Sequence, residues 1–373
     1  METGDTEEQQ SRPGGRRGIA ATMLGDLKHG DLRRGMRKDL RDLYRFYLDE
    51  EEQARLKAMW RVKRWFVVLW WILKSMILSL SPVRRVLAVL SLLFLMLGDV
   101  GFRAGSSHFH TDLSKTGFLL LLIVLMLELK DKLLARDELK LGRAVQLALL
   151  PGESPALPGW DIWLFSRPAN DVGGDLVDYL KVDERRLDLV LADVSGKGLG
   201  AALLMAKLQA TLRGSAGDFE SPSALIAHTN VILYRDTPSG SFATAVYMAL
   251  DPEAGTVRLV NAGHMPPIRV KHGSHDTLPP VAPPLGVVPD SDFPGQTVQL
   301  GRGEMLLLYS DGVTEACNAQ EEFFGDDRLA ELVPDIEGLS AEAAGRRIVE
   351  QVEKFVGDEP TSDDLSLILL RRL

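Results

Sequence analysis

Four aspartates stand where apolar runs give way to turns. Asp193 closes LDLVLADV (187–194), Asp311 follows MLLLYS, Asp363 comes just before LSLILLRR (365–372), and Asp175 follows DVGG. An unpaired carboxylate beside a buried strand end is costly. Four of them brought together repel one another unless they are protonated or neutralised by cations. No His or Cys cluster accompanies them, so the donors suit hard ions such as Mg2+ or Mn2+ rather than zinc. Each aspartate taken singly also reads as a turn former or a helix cap, and spacing alone leaves both readings open.

The segment ADVSGKGLGAALLMAKL (192–208) launches a helix from a glycine-rich turn, as phosphate-cradling loops do. SGKGLG lacks the G-x-x-x-x-G-K-[ST] spacing of a nucleotide loop, and nothing that would hold a ribose accompanies it. Lys197 reads either as a phosphate contact or as a solvated side chain.

The elements that must position these residues follow from periodicity. Short runs rich in β-branched and apolar residues, bounded by turn signals, predict strands over 187–194, 242–251, 256–263, 305–312 and 365–372. Helical patterns lie between them, over 199–213, 221–236 and 326–356, the last in one or two pieces. The mixture predicts an α+β fold, a layered sheet sandwich flanked by helices. Thr244 reads as a strand residue and Gly286 as a turn.

The chain before Trp160 is of another kind. Residues 1–60 are polar and charged, a flexible tail leading into a surface helix or a pair of helices. Three apolar runs follow at 62–80, 86–98 and 117–129. Each is marginal in length for a membrane span. Trp60, Trp65, Trp70 and Trp71, with Arg61, Lys63 and Arg64, have the composition of an interfacial anchor. Arg84 and Arg85 put positive charge after the first run as well. The simplest solution keeps run one, broken by Lys74, at the interface or re-entrant. Runs two and three then form a membrane hairpin around a loop at 99–116, leaving residue 130 onward in the cytoplasm at an inner membrane. A soluble helical dimerisation bundle is the competing reading. Residues 127–150 predict a connecting helix in which Leu127, Leu134, Leu141 and Ala148 recur every seven residues, half of a coiled-coil seam through which a homodimer could form. PGESPALPG (151–159) then marks a boundary. The predicted organisation is a polar region over 1–60, a hydrophobic helical region over 61–130, a connecting helix over 131–150 and a final domain over 151–373.

Composition excludes some classes. With 373 residues and a net charge of −9, the chain lacks the basic balance of a nucleic-acid binder. Its one cysteine, Cys317, rules out an intrachain disulfide framework and suits a reducing compartment.

Seven motifs occur in order: NDVGGDLVDYL (170–180), LADVSGKGLGAALLMAKL (191–208), FATAVYMALD (242–251), NAGHMPPI (261–268), PPLGV (283–287), LLLYSDGVTEACN (306–318) and SDDLSLILL (362–370). Together they resemble the metal-dependent PPM protein phosphatases, specifically the SpoIIE-like bacterial serine/threonine phosphatases, over about residues 140–373. The resemblance implies a β-sandwich flanked by helices (αββα layers) with two divalent cations, Mn2+ or Mg2+, in a cleft at one end. It implies that Asp193 bridges the ions, with the Val194 carbonyl as a further ligand, that Asp175 serves one ion, and that Asp311 and Asp363 serve the other. Asp364 would support these ligands, and Asn261 and His264 would have structural roles. Asp193 and Asp311 would carry the catalysis: direct attack of a metal-bridging hydroxide on a phosphoserine or phosphothreonine, without a phosphoenzyme. The substrate class implied is a regulatory phosphoprotein such as a STAS-type anti-sigma factor antagonist. In the family, activation is linked to a helix–core shift that completes the metal site, a shift the 130–150 helix is placed to transmit. Eukaryotic relatives carry a His two residues after the bridging Asp. Here Ser195 takes that place, as in many SpoIIE-like members, and the proton donor is left unassigned. The competing functional reading is a catalytically silent, membrane-linked scaffold that binds partners through the same domain.

Overall fold

The structure is a computed structural model and describes residues 61–104, 107–183 and 186–373. The expected tail and surface helix over 1–60, Trp60 included, lie outside the described residues, as do the side chains of Arg61, Lys63, Arg64 and Trp65. The chain divides into two compact units, Met1–Lys132 and Leu133–Leu373.

In the first unit, α1 (Arg61–Ser79) is followed by α2 (Pro82–Leu97), a hairpin of β1 (Asp99–Ala104) and β2 (Ser107–Asp112), and the beginning of α3 (Leu113–Leu149). The loop expected at 99–116 is thus a two-stranded hairpin followed at once by helix. Small residues allow α2 and α3 to meet closely. A Cβ on Gly117 would stand 2.8 Å from the Ser91 carbonyl, and Ala88 and Ser91 are buried nearby. The two helices run antiparallel, with Arg84 near the start of α2 paired to Glu128 at 2.8 Å and Asp131 at 2.6 Å. Among the described residues no helix is long and apolar enough to cross a membrane. The expected hairpin of spans therefore has no spanning helix there: run two makes a 16-residue helix, and run three is the apolar beginning of a 37-residue helix that turns charged. The same α3 takes in the connecting helix, and the two units divide within it.

The second unit is built on two five-stranded antiparallel sheets. One has the order β10-β7-β6-β5-β4 and the other β3-β12-β11-β8-β9, where β3 is Trp160–Arg167, β4 Leu176–Lys181, β5 Leu187–Val194, β6 Ala243–Asp251, β7 Thr256–Ala262, β8 Ile268–Lys271, β9 Ser274–Thr277, β10 Gln296–Gln299, β11 Met305–Tyr309 and β12 Leu365–Arg372. The helices are α4 (Leu199–Ser215), α5 (Pro222–Asp236), short α6 (Asp311–Thr314), α7 (Gly325–Glu331), α8 (Val333–Ile336) and α9 (Ala341–Val356).

The strands alternate with period two, so each sheet has two apolar faces. Leu189 and Leu191 of β5 and Val246 and Met248 of β6 meet Leu306 and Leu308 of β11 and Ile368 and Leu370 of β12 between the sheets. The residues between them, Val190, Ala192, Ala245 and Tyr247, turn outward onto Met205 and Leu208 of α4 and Leu225 and Leu233 of α5. On the other outer face, Ala344, Ile348 and Val352 of α9 cover Leu307, Leu367 and Leu369. Each fully buried aliphatic side chain contributes about 1.5–3 kcal/mol. The result is the expected αββα layering. The stretch 326–356 forms three helices rather than one or two. Pro334 restarts the chain at α8, and the Ser340 hydroxyl caps α9 by accepting from the Ala343 N–H at 3.2 Å.

Candidate active site

Asp193 and Val194 end β5 opposite Thr244 and Ala243 of β6. Ser195 then ties the turn down, its N–H donating to the Phe242 carbonyl and its Oγ accepting from the Phe242 N–H, both at 2.9 Å. The pair of bonds anchors the turn that follows Asp193. Gly196 and Gly198 take φ of +98° and +72°, conformations a side chain would resist, and α4 departs at Leu199. Between them Lys197 Nζ reaches Asp363 Oδ2 at 3.0 Å.

The 169–175 loop is brought in from the other side. Asp364 accepts from the N–H groups of Ala169 (2.8 Å), Gly174 (2.6 Å) and Asp175 (3.3 Å), so its carboxylate organises this loop. Gln146 of α3 grips the same loop in both directions, its Nε2 donating to the Gly173 carbonyl at 2.7 Å and its Oε1 accepting from the Gly173 N–H at 3.0 Å. A Cβ on Gly173 would collide with the Asp364 carboxylate. One on Gly174 would stand 3.2 Å from the Val194 carbonyl and 3.4 Å from Asp193 Oδ1. The two glycines therefore let Asp175 approach the end of β5.

Asp311 begins α6 straight after β11 and Ser310. The Ser310 Oγ donates to the Asp364 carbonyl and accepts from the Ser366 N–H, both at 3.0 Å, which fixes the end of β11 to the start of β12. Asp363 accepts from the Asp364 N–H at 3.0 Å.

The electrostatics show that the five acids are neighbours. Burial, then Asp311, Asp363 and Asp364, push Asp193 up to about 7. Burial and Asp363 also raise Asp311. Asp175 is raised well above the carboxylate range, first by burial and further by Asp193 and Asp364, although the Ser366 and Ser310 hydroxyls oppose the shift. Its buried Oδ2 has no hydrogen-bond partner. The contrast with Asp178 and Asp188, which are also buried, is informative. Asp178 is paired with Arg213 and Gln209, and Asp188 with Arg186 and Tyr247.

His264 is buried and takes part in positioning. Its Nδ1 shares a hydrogen bond with Thr244 Oγ1 at 2.8 Å, and that hydroxyl lies 3.4 Å from the Asp193 carbonyl. Burial lowers the ring to about 4, and Nε2 makes no hydrogen bond. Asn261 shapes the turn below it, its Oδ1 accepting from the His264 N–H at 2.8 Å. Gly286, at φ +84°, is a turn residue whose N–H donates to Asn230 Oδ1 at 2.8 Å. Cys317 is a half-buried thiol.

The structure thus gathers Asp175, Asp193, Asp311, Asp363 and Asp364 from two sheets and one loop. Residue-by-residue reading missed the grip of Gln146 on Gly173, the serine pair behind Asp175 and the Thr244–His264 link. None of these leaves a local signal, because each joins positions at least 20 residues apart. Among the described residues no group of three or more His, Cys, Asp or Glu side chains is placed closely enough to hold a metal ion as it stands. The donor set nevertheless suits a hard cation: carboxylates and one backbone carbonyl, a buried carboxylate oxygen without a partner, and an Asp193 whose ionisation its neighbours oppose.

Residues 183–373, about half of the chain, match the family described as stage II sporulation protein E (SpoIIE). The chain belongs to the SpoIIE family. Among curated relatives of this SpoIIE-family chain, Protein IcfG of Synechocystis sp. is 31% identical over 276 residues, covering 66% of this chain and 43% of IcfG. Phosphoserine phosphatase RsbU of Bacillus subtilis is 28% identical over 239 residues, covering 64% of this chain and 70% of RsbU. The chain thus spans less than half the length of IcfG. Among solved structures, the RsbU and RsbW domains of a Mycobacterium tuberculosis protein align at a TM-score of 0.54 and 26% identity, over 60% of this chain and 63% of that one. The SiaA-PP2C domain of Pseudomonas aeruginosa aligns at 0.57 and 20% identity, over 65% of this chain and 98% of that domain. The second unit of the SpoIIE-family chain has the PP2C-like fold.

Proposed function

We propose that this chain is a metal-dependent phosphoprotein phosphatase that hydrolyses phosphoserine or phosphothreonine on a regulatory protein, an anti-sigma factor antagonist of the STAS type being the expected kind. The observation that carries the reading is the convergence of Asp193, Asp311 and Asp363 from the ends of β5, β11 and β12, with Asp175 beside Asp193. The relative named phosphoserine phosphatase RsbU supports it. Asp193, the Val194 carbonyl and Asp175 would hold one divalent cation, and Asp193, Asp311 and Asp363 a second, Mn2+ or Mg2+. When bound, such ions supply charge neutralisation for a phosphoryl group and an acidic water. The chain's own part is positional. Asp364 and Gln146 set the loop that carries Asp175, Ser310 joins the strands that carry Asp311 and Asp363, and Thr244 with His264 steadies the end of β5. His264 is buried, and Ser195 Oγ accepts from the Phe242 N–H, so neither residue is assigned the role of proton donor.

We place the protein at the cytoplasmic face of an inner membrane, held through its first unit, where Trp70 is 64% and Met96 88% exposed. Leu134 and Leu141, both exposed on α3, are the proposed homodimer seam. A silent scaffold that binds partners through the same domain is the second reading. The experiment is phosphate release from a serine-phosphorylated STAS-type protein in Mn2+. Activity should vanish with EDTA and fall by at least about 100-fold in Asp193→Asn, as expected when a group that organises the reacting charge is lost. An inert chain that still binds the partner would favour the scaffold.

A further inference from the structure

The glycine-rich turn that opens α4 carries a cation for which the proposed chemistry has so far found no use. Lys197 Nζ lies 3.0 Å from Asp363 Oδ2 and 3.2 Å from the Ser362 carbonyl. It also acts through space on Asp193 and Asp311, favouring their charged forms against the push of the other acids. It therefore already serves the cluster as a counter-charge.

Its mounting permits movement. The turn is held at one end by Ser195 on Phe242 and at the other by the first helical bond of α4, from the Ala202 N–H to the Gly198 carbonyl at 3.1 Å. Between these anchors, Gly196 and Gly198 are both at positive φ, and no heavy atom lies within 4 Å of where a Cβ would stand on either. The Lys197 side chain is 65% exposed. Two unencumbered glycines thus flank one long cationic side chain held only by its tip.

A divalent ion on Asp363 would repel an ammonium at hydrogen-bond distance from the same carboxylate. A lysine released there stays beside the aspartate cluster, and a flexible point charge is suited to receive a phosphoryl dianion bound at it. We infer that Lys197 has two successive partners, Asp363 before divalent ions bind and the phosphoryl oxygens of the substrate afterwards, which makes it a substrate-binding residue. This inference rests on the phosphatase reading above.

The two roles predict effects of opposite sign in one variant. In Lys197→Met, Mn2+ binding to the full chain, followed by the free Mn2+ electron paramagnetic resonance signal without substrate, should tighten by about tenfold at the weaker site, because a competing charge at contact distance is gone. KM for p-nitrophenyl phosphate and the inhibition constant for inorganic phosphate should both rise by about tenfold, with kcat changed much less. Lys197→Arg should recover most of the phosphate affinity, and an unchanged melting temperature would show that both variants fold. A surface ion pair with no further role leaves all constants in place, and that result would overturn the proposal. So would weaker Mn2+ binding, or tighter Mn2+ binding with unchanged phosphate affinity. A wild-type chain that binds Mn2+ but releases no phosphate would count against the phosphatase reading, and direct binding of inorganic phosphate to the Mn2+-loaded chain would then decide the Lys197 question in place of KM.

Discussion

His264 shows how a residue with acid–base chemistry can be put to another use. Its ring is buried between Thr244 and the end of β11, and burial holds it at about 4. The folded protein therefore keeps the ring neutral at pH values where the unfolded chain, near 6.5, takes up a proton. The sign follows: above 6.5 the group is neutral in folded and unfolded chain alike, and as pH falls from 6.5 toward 4 it withdraws stability from the fold. In His264→Gln this withdrawal is absent. The stability advantage of the wild type over that variant, measured by urea unfolding at pH 7 and at pH 5, should narrow at the lower pH. A constant difference would contradict the neutral, buried assignment. At pH 7 the variant should lose about 1–3 kcal/mol through the unmatched Thr244 hydroxyl and repacking. Ser195 makes a parallel point, because its Oγ accepts from the Phe242 N–H and so anchors the turn after Asp193.

At the scale of elements, the site depends on close approach. Gly312, the second residue of α6, has no room for a Cβ against the Asp364 carbonyl, and Gly345 of α9 has none against the Trp163 ring of β3. The two should fail differently. Gly345→Ala overpacks the α9 face and should cost about 1–3 kcal/mol in thermal unfolding while leaving cation binding intact. Gly312→Ala should weaken Mn2+ binding as well, because it parts Asp311 from the start of β12. Equal effects of the two on Mn2+ affinity would contradict this division of labour. Five strands were legible because buried apolar residues fill them: β5, β6, β7, β11 and β12 lie within a residue or so at one end and a few at the other of the runs that predicted them. The edge strands were not, the eight-residue β3 and six-residue β4 among them. Every residue of Ser274–Thr277 is exposed, and only Val298 is buried in Gln296–Gln299, so neither carries an apolar signature. The β1–β2 hairpin was hidden for a related reason, since SHFHTD and DVGFRA read as loop without the pairing that joins them. The candidate ligands were legible through ordered motifs. The grip of Gln146 on the Asp175 loop was not, since a glutamine at that place on a helix gives no sign of its partner 27 residues away.

At the scale of the molecule, the chain joins a PP2C-like unit to a helical unit rich in exposed apolar side chains, including Trp70, Val83, Met96 and Phe118. Exposed apolar side chains in such number are the basis of the membrane proposal. If they meet lipid, the full chain should sediment with vesicles containing anionic lipid, and the double variant Trp70→Ser, Met96→Asp should stay largely in the supernatant. Equal sedimentation of both would remove the membrane proposal and favour a contact with protein. Helix α3 is continuous from Leu113 to Leu149 and carries Gln146, which holds the Gly173 turn.

The central claim is that the five converging aspartates work with divalent cations to hydrolyse a phosphoserine or phosphothreonine ester. The most direct measurement is the rate of inorganic phosphate release from a serine-phosphorylated STAS-type protein by the full chain, as a function of added Mn2+, for the wild type and Asp193→Asn. Release should rise with Mn2+ to saturation, be abolished by EDTA, and be lost in the variant while the fold is retained. Release that persists in EDTA, or that survives Asp193→Asn undiminished, would contradict it.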